Sequence, residues 1–236
     1  MIKIAEKGDI LKIIDHITSS RQLFFEYVDI CNSKYRHGDD LMFYRELIAQ
    51  HRNIPNLGEL LDSDAFLQRL YSTLVKWDMN KRGARLVDFS IMRDSIQSYR
   101  EELINLYKYR LDILSDEDIQ IVEQQIKVLF CGLNIMATKR RIVGVSKTLH
   151  FLLPDLVLPI DGSNTMLAFY GYNRYDSSQE KEFETFRKIF EKSYDIVKKL
   201  NLNESDVSGC GWSCSIPKLI DDAIIGFFIK MKDLTK

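Results

Sequence analysis

Hydrophobic residues recur along this chain at spacings of three and four, which is the period of an α-helix. The clearest stripe consists of Phe186, Phe190, Tyr194 and Val197, and it predicts an amphipathic helix over Phe183–Leu200. Strict alternation of apolar and polar residues, which is typical of strands, is nowhere long enough for a sheet. The pattern therefore predicts an all-α fold.

Further helices follow from the same period, and serine, proline and glycine mark their ends. In chain order they cover Asp9 to Asn32 with a break at Ser19 and Ser20, Leu41–Gln50, Ser63 to Trp77, Asp88 or Ser90 to Leu106, Ser115 to Phe130, and Pro217 to Phe228. The last of these is expected to be largely buried. Together they predict a single multi-helix globular domain over residues 1–236, or two helical lobes at about 1–135 and 136–236.

The overall charge adds a limit on function. A net charge of −1 argues against a protein that coats nucleic acid non-specifically, although it leaves room for a local basic face. The amino-terminal residues contain no signal-like apolar run, no apolar stretch is long enough to span a membrane, and the four cysteines are sparse. We therefore expect a cytoplasmic protein with reduced thiols, no membrane partner and no cofactor, and the oligomeric state stays open.

The central segment of the chain carries the most distinctive chemistry. It places a basic cluster before a glycine turn and a further lysine: Lys139, Arg140, Arg141, Gly144, Val145, Ser146 and Lys147. The glycine predicts a tight turn between two helices, and the free N–H groups at the start of the second helix would favour a phosphate oxygen. The competing interpretation is that Gly144 only ends a helix and that the cations form a solvated face.

Asp161 follows a loop confined by Pro154 and Pro159, and it stands at the start of a new helix. As a helix cap it would accept a hydrogen bond from the N–H of Ser163 or Asn164. As a catalytic carboxylate it would act as a base or would stabilise a cationic transition state. The spacing favours the cap.

The order of these features resembles the helix-hairpin-helix DNA glycosylase superfamily over Ile142–Gly171. In that superfamily a Gly-Val-Gly turn precedes a lysine, an apolar helix and a downstream aspartate. The resemblance implies that Gly144 and Ser146 lie at the hairpin, that Lys147 is near the nucleophilic lysine of bifunctional members, and that Asp161 is the catalytic aspartate. It also implies a helix-hairpin-helix core and DNA as the partner.

The chain departs from the superfamily pattern at three points. Ser146 replaces the second hairpin glycine, Lys147 comes one residue early, and the stretch from Lys147 to Asp161 is shorter by about one helical turn. The shift rotates Lys147 relative to Asp161, which favours contact of Lys147 with phosphate or solvent. His150, on the same helix face as Lys147, is expected to be a satisfied, partly buried side chain.

A second basic turn follows Trp77. The combination of cations, a glycine and an aromatic ring suits phosphate contact together with stacking on a base. The competing interpretation is an ordinary exposed turn. Nucleic-acid contact would gain support if both basic turns lay on one surface. The predicted contact residues are Lys81, Arg82, Arg85, Arg140, Arg141, Gly144 and Ser146.

Metal and nucleotide chemistry have little support in the sequence. Cys210 and Cys214 lack the Cys-x-x-Cys spacing and a second pair of ligands, so no metal site is expected.

Two functions remain. The chain is a DNA-binding protein with base-excision chemistry that uses Asp161 and Lys147, or it is a non-catalytic helical interaction protein. An enzyme requires Asp161 at a cleft wide enough for a flipped base, with an aromatic ring such as Trp77 or Tyr170 in reach.

Overall fold

A computed structural model of the protein describes residues 10–81, 83–171, 178–209 and 211–235. Within these ranges the chain forms twelve α-helices and no strand, so the all-α prediction is confirmed. In chain order the helices are α1 (Ile10–Ile17), α2 (Arg21–Lys34), α3 (Asp39–Asn53), α4 (Leu57–Leu61), α5 (Asp64–Lys76), α6 (Phe89–Ser98), α7 (Arg100–Tyr107), α8 (Asp118–Gly132), α9 (Ile142–Leu152), α10 (Thr165–Tyr170), α11 (Gln179–Leu200) and α12 (Ile216–Asp233).

Serine side chains begin several of these helices. Ser20, Ser63, Ser178 and Ser215 each accept a hydrogen bond from the backbone N–H three residues further on. The predicted cap at Ser63 is therefore confirmed. Such caps satisfy backbone groups that the first helical turn leaves without a partner, and a helix end is fixed where they occur.

Helix α12 lies at the centre of the fold and is buried on nearly all sides from Ile216 to Phe228, as the sequence predicts. It packs along α2 at close range. A side chain at Gly226 would overlap the backbone carbonyl of Tyr27, so only glycine allows the two helices to approach this closely. Buried apolar residues from α1 through α12 form one hydrophobic cluster.

The predicted hairpin turn at Gly144 is wrong, because Gly144, Val145, Ser146 and Lys147 all lie inside α9. The connection between α8 and α9 lies earlier, at residues 133–141. There Leu86 and Met136 form an isolated antiparallel bridge. This pairing places the two basic turns of the sequence side by side.

Candidate active site

The ends of α2 and α5, the beginnings of α9 and α12, and the loop before α10 surround a cavity of about 740 Å³, which we call the central cavity. Its volume falls within the usual range of ligand pockets in proteins, roughly 300–1,000 Å³. Lys147 and Asp161 both line it. The fold therefore brings together the two residues that the resemblance marks as catalytic.

Lys147 projects from the second turn of α9 and is buried. Its Nζ donates a hydrogen bond to the carbonyl oxygen of Trp77 at 3.2 Å and lies 5.5 Å from the centre of the Trp77 ring. Burial lowers the pKa of the Lys147 ammonium, while the charges of Asp161 and Asp221 oppose that shift. The side chain of Lys147 is therefore largely removed from solvent, and its contact with phosphate stays a prediction.

Asp161 combines the two roles that the sequence leaves open. Its Oδ1 accepts a hydrogen bond from the N–H of Ser163 at 3.0 Å, and its Oδ2 accepts one from the side-chain amide of Asn164 at 2.7 Å. The expected bond to Ser163 is therefore present, although α10 begins only at Thr165. Because Asp161 also lines the cavity, its carboxylate is held in position at the cavity wall.

Three aromatic rings line one side of the cavity. The ring centres of Tyr35 and Trp212 are 5.4 Å apart, and those of Trp77 and Trp212 are 5.8 Å apart. The indole N–H of Trp212 donates to the carbonyl of Arg36 at 3.0 Å, which fixes the orientation of the ring. Tyr170, the other aromatic residue predicted to be in reach, does not line the cavity.

Lys218 and Asp221 of α12 also line the cavity, and together with the fully buried Asp222 they form an ionic cluster. The ammonium of Lys218 donates to Asp221 Oδ2 at 2.8 Å and to Asp222 Oδ1. Burial acts to lower the pKa of Lys218, but the charges of Asp221 and Asp222 outweigh it and raise that pKa well above its usual value. Asp222 also accepts from the hydroxyl of Ser213 at 2.9 Å.

Within the described residues, the second oxygen of Asp221, Oδ1, is buried and has no hydrogen-bond partner. Burial raises the pKa of Asp221 to about 6.

The sequence did not reveal Asp221, Lys218 or the position of Trp212 at the cavity. A usable signal was present, since charged residues stand inside an otherwise apolar helix, and charged side chains are seldom buried without a purpose.

The two basic turns meet at the cavity. Lys81 from one and Lys139 and Arg140 from the other line the cavity together with Arg36 and Lys232. Asp78, which has a left-handed backbone with φ of 64°, pairs with Lys81 at 2.8 Å and with Arg36 at 3.2 Å. Nucleic-acid contact was expected to gain support if both basic turns lay on one surface, and Lys81, Lys139 and Arg140 meet that condition.

Other predicted contact residues are placed differently. Arg85 is exposed but does not line the cavity, and its carbonyl accepts the N–H of Ala137 at 2.8 Å. Arg82 lies outside the described residues. Arg141 donates from its guanidinium to the carbonyls of Cys131 and Leu133, so it holds the end of α8.

Ser146 and Gly144 are both buried in α9. The Ser146 hydroxyl donates to the carbonyl of Val143 at 3.0 Å and accepts the N–H of Ile160 at 3.1 Å. Gly144 faces Met136, whose sulfur would overlap a side chain there. The Ser146 hydroxyl is thus committed to bonds inside the protein, whereas Gly144 lines the central cavity, so its contact with phosphate stays a prediction.

The amino end of α9, where a phosphate oxygen is predicted to bind, is partly capped from within the protein. Both carboxylate oxygens of Glu182 accept the backbone N–H of Arg141, each at 3.1 Å. Glu182 is buried, and burial raises its pKa although hydrogen bonds from the backbone of Arg141 and Ile142 oppose this shift. An internal carboxylate thus satisfies the first N–H groups of α9, and contact of this helix end with an external anion stays a prediction.

His150 is satisfied, as expected. Its Nδ1 lies 2.7 Å from the carbonyl of Val157, and its Nε2 lies 3.1 Å from the hydroxyl of Tyr44. Among the described residues no three His, Cys, Asp or Glu side chains are grouped so as to hold a metal ion. None of the described helices is long and apolar enough to cross a membrane.

Comparison with protein-family models, with curated proteins and with solved structures found no match. The function proposed below therefore rests on the geometry of the central cavity.

Proposed function

We propose that this protein binds DNA and excises a base from it, with Lys147 as the nucleophile and Asp161 as the stabilising carboxylate. The observation that carries the proposal is the buried amine of Lys147 in a cavity that Asp161 also lines. An amine must be neutral to attack, and burial lowers the pKa of Lys147 in the required direction.

The chemistry follows from these two groups. The neutral amine of Lys147 attacks C1′ of the deoxyribose, the glycosidic bond breaks, and the base leaves with the bonding electron pair and takes up a proton. Opening of the sugar ring then gives an imine between Lys147 and C1′. The carboxylate of Asp161 stabilises the positive charge that develops on the sugar as the base departs. The imine permits elimination of the 3′ phosphate and hence strand cleavage.

The surroundings of Lys147 suit a base that has left the helical stack. Enzymes of this kind extrude the target nucleotide into a pocket where aromatic side chains stack on it. Trp77 and Tyr35 supply such rings in the central cavity, and the buried Trp212 packs against both. Lys81, Lys139 and Arg140 from the two basic turns supply cations for the phosphates on either side of the extruded nucleotide.

Reduction of the imine tests the proposal. A DNA duplex with a single abasic site presents an aldehyde, and borohydride converts its imine with Lys147 into a stable covalent adduct. We expect a protein–DNA adduct with the wild type and its loss in Lys147→Gln, which keeps a hydrogen-bond donor for Trp77. Lys108→Gln removes an exposed lysine that does not line the cavity, and it should retain the adduct. An adduct of equal yield in Lys147→Gln would refute the assignment of the nucleophile.

One observation favours the alternative, a helical interaction protein without catalysis. Asp161 is hydrogen-bonded to its own turn through both carboxylate oxygens, as a purely structural residue would be. This alternative predicts no adduct with the wild type at any borohydride concentration, and it predicts that Asp161→Asn lowers stability without any effect on DNA.

A further inference from the structure

The unpartnered oxygen of Asp221 indicates which ligand the central cavity is built to hold. Asp221 is 4% exposed, and its Oδ1 is buried without a hydrogen-bond partner among the described residues. A buried acceptor without a donor lowers stability, so it is rarely kept unless something supplies the donor. Because Asp221 lines the cavity, a bound ligand is the natural source of that donor.

Lys218 adds a group of the opposite polarity next to Asp221. An ammonium has three N–H donors, and two of those of Lys218 go to Asp221 and Asp222. Lys218 also lines the cavity, and its Nζ lies 5.1 Å from the centre of the Trp212 ring. An acceptor, Asp221 Oδ1, and a donor, Lys218 Nζ, thus stand side by side beside an aromatic surface.

We propose that Asp221 and Lys218 read the lactam edge of a nucleobase, in which a ring N–H adjoins a carbonyl oxygen. The ring N–H donates to Asp221 Oδ1, and the carbonyl accepts from Lys218. Guanine, hypoxanthine, uracil and thymine present this edge. Adenine and cytosine present a ring nitrogen acceptor beside an amine donor. In a base whose sugar is held in the same position, this order reverses both bonds and sets like groups against each other. This inference rests on the proposed function, since it assumes that the cavity receives a base.

The proposal makes Asp221 and Lys218 residues that select the substrate. Neither is assigned a part in bond cleavage, which stays with Lys147 and Asp161. A carboxylate that must accept from the ligand requires Asp221 to be ionised, so binding is best measured near pH 8, above the pKa of about 6 that burial gives Asp221.

The two tryptophans of the chain, Trp77 and Trp212, both line the cavity, so intrinsic fluorescence reports directly on its occupant. We would titrate the full chain with three nucleosides of similar size: inosine, 1-methylinosine and adenosine. Methylation removes the ring N–H and leaves the carbonyl, whereas adenosine reverses the edge. We expect inosine to bind at least about tenfold more tightly than either of the other two, because a hydrogen bond to a charged group is lost in each.

Substitution of Asp221 gives a second, independent test. In Asp221→Asn the amide oxygen pairs with Lys218, which can only donate, so the NH₂ group takes the place of Oδ1. Inosine affinity should then fall by at least about tenfold, and the preference over adenosine should disappear. Asp116→Asn is the matched control, since Asp116 is exposed and lies outside the cavity. Circular dichroism checks that each variant is folded.

Equal affinity for inosine and 1-methylinosine, or for inosine and adenosine, would overturn the inference, as would the absence of quenching by every nucleoside at millimolar concentration. These outcomes are measured on the wild type and do not depend on the folding of a variant. Failure here is distinguishable from failure of the proposed function. Inosine selectivity without a borohydride adduct would refute the excision chemistry alone, and an adduct without inosine selectivity would refute the lactam recognition alone.

Discussion

The buried charged residues at the central cavity differ in how their charges are compensated. Lys147, Lys218 and Asp221 are each buried in the described structure, yet only Lys218 has its charge matched by hydrogen-bonded carboxylates. Lys147 is held by the carbonyl of Trp77, an acceptor that suits a neutral amine as well as an ammonium. The difference explains why burial lowers the pKa of Lys147 while the pKa of Lys218 is raised.

The buried histidines make stability depend on pH. His51 lies between the hydroxyl of Tyr107 and the carbonyl of Phe151, and burial lowers its pKa from 6.5 to about 4. Below pH 6.5 His51 therefore takes up a proton in the unfolded chain but not in the native chain. The free energy of unfolding decreases as the pH is lowered from 6.5 to about 4. For His51 alone the loss amounts to about 3 kcal/mol.

We expect His51→Gln to be less stable than the wild type near neutral pH and to lose less stability on acidification. Urea unfolding at several pH values between about 4.5 and about 7 measures this difference. Tyr107→Phe removes one of the two hydrogen-bond partners of His51 but keeps the imidazole. We expect this variant to retain the steep dependence of stability on pH that the wild type shows. If the stability of His51→Gln fell with decreasing pH as steeply as that of the wild type, His51 would not be the source of this pH dependence.

At the scale of elements, most helices could be predicted from periodicity, but the turn at Gly144 was wrong, and the helix predicted from Asp88 or Ser90 to Leu106 is divided at Tyr99 into α6 and α7. The stripe of Phe186, Phe190 and Tyr194 predicted α11, and the apolar residues after Pro217 predicted α12. Both predictions succeed because each pattern is local in the sequence. The error at Gly144 arose because glycine is read as a turn signal, whereas here it allows Met136 to pack closely on α9. Glu182 then fixes the start of α9 from a distant part of the chain, which no local pattern reveals.

The crossing of α2 and α12 provides a prediction at this scale. In Gly226→Ala the new methyl group would overlap the backbone carbonyl of Tyr27, which cannot rotate away as a side chain could. We expect the free energy of unfolding to fall by at least about 2 kcal/mol, as for other overpacked sites. Urea unfolding at neutral pH provides the value.

Gly38→Ala serves as the comparison, since a methyl group at Gly38 would make only ordinary contact with Asp40. It should change stability by less than about 1 kcal/mol. Equal stability of Gly226→Ala and the wild type would show that the two helices can separate at little cost.

At the scale of the whole molecule, the site depends on contacts between distant segments. The sequence identified Lys147, Asp161 and the two basic turns, because each carries a local signature. It did not identify Tyr35 or Asp221 as partners of these residues, since only the tertiary fold brings the end of α2 and the first turns of α12 to the cavity that α9 lines. A chain with a net charge of −1 thereby gathers several cations at one opening.

That opening predicts a salt-dependent DNA contact. In Lys139→Gln/Arg140→Gln, two cations that line the cavity are removed. We expect weaker binding of a fluorescent duplex and a slope of log K against log salt that is shallower by about two. Lys108→Gln/Lys188→Gln removes the same charge from exposed positions outside the cavity and should leave the slope unchanged. Identical slopes in the two double variants would place the DNA elsewhere.

The proposed excision assigns the reaction with DNA to the amine of Lys147. Peptide mapping by mass spectrometry after borohydride reduction tests it most directly, because the reduced adduct marks the lysine that formed the imine. We expect the nucleotide remnant on Lys147. A remnant on an exposed lysine such as Lys81, with Lys147 unmodified, would contradict it.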